Sequence, residues 1–171
     1  MRGTATVSGH SRWQGRIDIT GQIDVPDTAG SVVLAGGDLT VANRIAGATV
    51  NGPGQLAIDP GRALHGFGTI NGSVSGTMNA QLMADDRILT ITGTLLDIGV
   101  LGTADADATL DLVSAWNTNQ TDEVRLHGGH LFGATISNDG PAGINGHGMI
   151  TTRDSRLATP ISNNPLHHTT V

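Results

Sequence analysis

Leu64–Thr94, LHGFGTINGSVSGTMNAQLMADDRILTITGT, is the stretch whose reading decides the fold. It divides into four short runs: Gly68–Ile70, Ser73–Val74, Thr77–Leu82 and Ile88–Thr94. Each alternates small polar with aliphatic residues and is bounded by Gly, Asn or Asp. None places apolar residues at i, i+3, i+4 and i+7, so the stretch predicts strands and not helix. Strands this short, separated by turn residues, are the successive faces of one or two coils of a β-solenoid.

Composition agrees with a thin core. The 171 residues suit one domain, and 37% hydrophobic residues suffice to build its interior. There are 25 Gly, 21 Thr and 10 Asn, but only two Phe, two Trp and no Tyr. A sandwich or α/β domain fills its centre with bulky rings and Leu, whereas a narrow coil stacks Val, Ile, Leu and Ala.

The charge pattern excludes some partners. Lys is absent, all nine basic residues are Arg, fourteen of fifteen acids are Asp, and the net charge is −6. Without a basic cluster, nucleic acid and anionic membrane surfaces are excluded as partners. Asp in place of Glu suits β-turns, because Asp hydrogen-bonds its own backbone two residues on. With no Cys there is neither a disulfide framework nor a thiolate metal site. No apolar run approaches the roughly 20 residues of a membrane span. The N-terminal MRGTATVSGHSRWQGR lacks the apolar segment of a signal peptide. An extracellular role would therefore make this chain a fragment or processed piece of a longer protein.

Outward from the central stretch, strands are expected at Thr4–Val7, within Arg16–Val25 on either side of Gly21, and at Ser31–Leu34, Leu39–Val41, Gly47–Val50 and Gln55–Ile58. Turns fall at Ser8–Ser11, Pro26–Gly30, Gly36–Gly37, Asn51–Gly54 and Asp59–Gly61. Leu95–Leu101, LLDIGVL, reads equally as strand or short buried helix. Ala104–Leu112 alternates strictly and predicts a strand pair. Val124–Leu126, Gly129–Leu131, Ala134–Ile136 and Gly148–Thr152 resume the earlier style. The solenoid domain is thus expected over 1–152, and 153–171 as an irregular tail or cap.

Three markers recur in order, offset by 80 to 92 residues: Ser31–Leu39 with Glu123–Leu131, Gly47–Val50 with Gly133–Ile136, and Leu64–Ile70 with Ile144–Ile150. They predict a long duplicated unit built from several coils of about 20 residues. The phrases LAGGDLTV, GFGTINGSVSG, LTITGT, LHGGHLFGATISNDG and GHGMITT resemble the degenerate repeats of secreted bacterial β-helix proteins, among them autotransporter passengers and filamentous-haemagglutinin-like adhesins. The resemblance covers about Ile17 to Thr152. It implies a single-stranded right-handed parallel β-helix with a structural or adhesive role at the cell surface, and it carries no catalytic motif. After GHGMITTR the chain departs from that cadence.

Candidate sites follow from residue chemistry. Asp85, Asp86 and Arg87 form the best acidic constellation, because β-helix polysaccharide lyases and hydrolases use clustered Asp beside a basic group. A polar turn explains them equally. Asp105 and Asp107 offer oxygen ligands of the calcium kind. His127 and His130, with His147, offer imidazoles, as His167 and His168 do more weakly. None matches a known metal spacing, so no metal or cofactor is assigned. Thr90, Thr92 and Thr94 are expected on one strand face, echoed in part by Thr4 and Thr6, but too seldom for an ice-binding array. Trp13 and Trp116 suit capping of a coil edge, or stacking on sugars. The chain is expected to be no enzyme but a surface, secreted or filament-forming module. Its expected partners are itself, neighbouring repeats, polysaccharide or a host or cell surface. A carbohydrate-active β-helix is the alternative.

Overall fold

The computed structural model describes residues 3–76, 79–117, 120–134, 136–137, 143–152 and 159–161, with side chains omitted for 136–137 and 159–161. These residues form eighteen strands and no α-helix. The first nine are β1 Thr4–Thr6, β2 His10–Trp13, β3 Asp18–Ile19, β4 Gln22–Asp24, β5 Ser31–Leu34, β6 Asn43–Asn51, β7 Gln55–Ile58, β8 Ala63–Ile70 and β9 Ser73–Gly76. The rest are β10 Gln81–Ile91, β11 Leu95–Leu96, β12 Ile98–Thr103, β13 Thr109–Leu112, β14 Trp116–Asn117, β15 Thr121–Gly133, β16 Ile136–Ser137, β17 Gly143–Thr152 and β18 Thr159–Ile161. Every pairing between these strands is parallel except β17 with β18. The chain winds into a β-solenoid of about seven turns.

An eleven-stranded sheet carries most of the chain, and β2, β5, β7, β9 and β11 form a second sheet of five. Long strands of the large sheet have a leading and a trailing segment joined by a bulge, as between Ala84 and Leu89 or His127 and His130. In the trailing segments Thr49, Thr69, Thr90, Asp111, Phe132 and Thr151 are successive partners, 19 to 21 residues apart. That interval is the coil, and it matches the period expected from sequence. In the leading segments Arg44, His65, Met83, Gly102, Arg125 and Asn145 are successive partners.

Alternation sets the inside. Leu64, Leu82, Leu101 and Val124 follow one another at full burial, as do Leu89, Leu110 and Leu131. Like side chains repeat every coil at the inter-strand spacing of about 4.8 Å, so each ladder packs upon itself. The Leu64 ladder begins with a polar member. Asn43 is wholly buried; its Nδ2 donates to the Gly36 and Ala63 carbonyls at 2.7 and 3.0 Å, and its Oδ1 accepts from the Ile17 N–H at 3.1 Å. Close stacking also dictates Gly66: its φ is +137°, and a Cβ there would stand 1.8 Å from the Ile45 carbonyl oxygen.

Several local expectations change. Leu39–Val41 is a turn, because the Asp38 carboxylate accepts from the Thr40 N–H, the Thr40 hydroxyl and the Val41 N–H at 2.8, 2.6 and 2.8 Å. Ala104–Asp107 is a corner and only Thr109–Leu112 is strand, since Asp105 bonds backbone there instead of alternating with a partner strand. Leu95–Leu101 is strand on both sides of Asp97, whose φ of 50° makes the corner. Within Ser8–Ser11, Ser11 and His10 already belong to β2. Of the expected strand Thr77–Leu82, Thr77 and Met78 lie outside the described residues, Asn79 is a turn at φ 66°, and β10 starts at Gln81. The long duplication is not structural. Ser31–Leu34 sits in the five-stranded sheet whereas Glu123–Leu126 sits in the large one, and only Leu64–Gly66 and Ile144–Gly146 share ladders. Within 153–171, Thr159–Ile161 pair antiparallel with Gly148–Ile150.

Candidate functional site

The bulge between Ala84 and Leu89 has no counterpart of equal size in β8, so residues 85–88 project as a corner. Asp86 takes φ 68°, a left-handed conformation that Asp tolerates because its side chain bonds locally. The next coil supplies Asp105, whose Oδ2 accepts from the Asp86 N–H at 2.7 Å and whose Oδ1 accepts from the Asp107 N–H at 2.8 Å. Asp85, Asp86 and Asp105 each place a carboxylate oxygen within 4.8 Å of the others'. Arg44, two coils earlier, reaches Asp86 Oδ2 at 3.1 Å. Three carboxyls and a guanidinium thus converge from three coils.

Their protons are unequally held. Burial, a hydrogen bond with Asp105 and the charges of Asp86 and Asp105 raise the Asp85 pKa against a small opposing pull from Arg44. Asp105 shifts the other way, chiefly because the Asp86 N–H bonds its ionised form and Asp85 donates to it. The two shifts run in opposite directions, so when the pair holds one proton it sits on Asp85, which donates it to Asp105.

Arg87 leaves this group. Its guanidinium carbon lies 5.1 Å from the centre of the Phe67 ring, a cation–π contact on the outer surface. Of the three residues picked from sequence, two converge and one points elsewhere. The other members are Asp105, which the sequence sets with Asp107 as an oxygen ligand and not with Asp85 and Asp86, and Arg44, which it does not single out; they lie 19 and 42 positions from Asp86. Only the coil length would have placed Asp105 opposite Asp86.

Of the three described histidines of the group, two come together and His130 stands apart. His127 and His147 are register partners in adjacent coils. His130 lies beyond the bulge, bonded through Nε2 to Thr151 Oγ1 at 3.0 Å and packed 5.7 Å from Phe132, with its pKa lowered by burial. His167 and His168 lie outside the described residues. The threonine face is also rearranged: β10 ends at Ile91 and the chain bends at Gly93, so Thr92 and Thr94 fall at a corner. Thr49, Thr69 and Thr90 instead align across coils. Trp116 is buried in the core, which removes it as a sugar platform, whereas Trp13 lies half-buried on β2 against the core. Compared with family models, curated proteins and solved structures, the chain matches none.

Proposed function

We propose that this chain is a structural or adhesive β-solenoid module of a bacterial cell-surface, secreted or filament-forming protein, working by stacking and surface contact and not by catalysis. The observation that carries this reading is the continuity of the ladders: successive coils repeat the same buried positions, and polar side chains outside bond one another from coil to coil. Asp24, Asn51, Asn71 and Thr92 form one such chain along the corner, with side-chain bonds of 3.3, 2.7 and 3.1 Å. The cadence shared with secreted bacterial β-helix repeats supports the same reading. Its test is direct: the purified chain, offered to a panel of polysaccharides and to bacterial and host cell surfaces, should adhere or self-associate without cleaving anything. Release of new reducing ends overturns it.

A carbohydrate-active reading draws support from one observation, the convergence of Asp85 and Asp86 with Asp105 and Arg44. The pKa values of Asp85 and Asp105 are pushed apart, as an acid and a base require. Against it, Asp85 and Asp105 hydrogen-bond each other directly, where retaining glycosidases keep their two carboxyls about 5–5.5 Å apart, and Asp105 already holds two backbone N–H groups. Loss of depolymerisation in Asp85→Ala and Asp86→Ala variants that remain folded would establish this second reading.

A further inference from the structure

The imidazoles of His127 and His147 share a corner that neither the scaffold reading nor the acidic corner uses. In the leading segment of β15, Val124 and Leu126 face the core, so Glu123, Arg125 and His127 face out. His147 occupies the same outward position in the next coil. In-register parallel partners sit about 4.8 Å apart, so the two side chains leave the surface from neighbouring positions within reach of one ion. Both residues are exposed, and neither ring is in a hydrogen bond among the described residues.

The backbone around them is cleared of side chains. Gly128 takes φ +93°, and Gly146 and Gly148 take +100° and +156° on either side of His147. The His147 ring leans back over its neighbour's coil: its Nε2 lies 3.4 Å from where a Cβ on Gly128 would stand. The ring nitrogen of one coil therefore reaches the residue next to His127 in the other. His130, the nearer histidine in sequence, is held away by Thr151 and Phe132.

We infer that His127 and His147 form a two-imidazole site for an exchangeable divalent transition-metal ion of the zinc, nickel or copper class, with water completing the coordination. Neutral imidazole is the preferred nitrogen ligand for these ions, and softer or harder cations are not selected by it. Glu123 on the same face is held by Arg125 and Asn145, so its carboxylate is already occupied and the two imidazoles are the ligands the segment offers.

The test is a zinc chloride titration of the full chain, followed through the imidazole nitrogen resonances. His127 and His147 should shift together while His10 stays fixed. His127→Ala and His147→Ala should each weaken binding at least tenfold, and a His167→Ala/His168→Ala variant should bind as the parent does. His127→Gln repeats the measurement with a polar side chain of similar reach in case the alanine variant misfolds. Zinc binding that survives His127→Gln, that vanishes with His167 and His168, or that is absent at millimolar zinc overturns the assignment.

Discussion

Asn43 shows how one residue sets local order. It takes a position that leucines occupy in the next three coils, yet it bonds three backbone groups that no leucine would satisfy. Asn43→Ala should cost about 3 kcal/mol or more, since each buried group left unpaired costs about 1–3 kcal/mol; urea unfolding measures it. Asp38 should titrate at about 2, mainly through the Thr40 hydroxyl, and Thr40→Val should bring it back toward 3.8, read by carboxyl NMR. The acidic corner has opposite pH signs. Asp105, with a lowered folded pKa, stabilises above the ordinary value of 3.8 and loses that contribution as pH falls through its folded pKa. Asp85, with a raised one, stabilises below 3.8 and loses it as pH rises through its folded pKa. Asp85→Asn, which mimics the neutral acid, should therefore raise the melting temperature by about 1–2 °C at pH 7 and leave it unchanged at pH 3, the effect being small because solvent screens the corner.

At the level of strands, the sequence was most legible where alternation and turn residues agree. Ser31–Leu34 and Gln55–Ile58 are strands with the expected bounds, and Gly21 separates β3 from β4 as expected. It misled where an Asp alternates with small residues: in Ala104–Asp107 the period of two belongs to a corner whose carboxylate bonds backbone, a use that binary pattern cannot distinguish from an outward strand position. The duplicated markers misled for another reason. Strand segments from different positions of a coil share the same Gly-and-aliphatic vocabulary, because every position alternates inward and outward at similar width. Partners of the acidic corner were hidden because contacts lie a coil apart, and the coil length emerges only from register. Close stacking gives a sharp contrast to measure. Gly66→Ala should destabilise by about 3 kcal/mol or more, because its Cβ would overlap backbone. Gly143→Ala, whose Cβ would meet nothing nearer than 3.7 Å among the described residues, should be nearly neutral by thermal melting.

Across the whole molecule, the antiparallel strand β18 covers part of β17 and interrupts the parallel order there. Removing residues 159–161 should expose that edge and raise the apparent mass in light scattering, since unpaired edges recruit other strands. The five-stranded sheet ends at β11, and the following pair, β14 and β16, forms a separate small sheet. Between them, side chains replace the missing strand pairing: Gln120 Nε2 donates to the Leu95 carbonyl at 2.7 Å and Ser114 Oγ to the Thr92 carbonyl at 2.9 Å. Amides of Leu95–Leu96 and Trp116–Asn117 should accordingly exchange with solvent faster than those of Leu110 and Leu112, which lie in continuous ladders. Under load along its length, a column built this way carries tension unevenly. The intact large sheet is in effect its spine, and the gap beside Trp116 is a notch, so stretching would bend the column open at that notch before any coil unwinds.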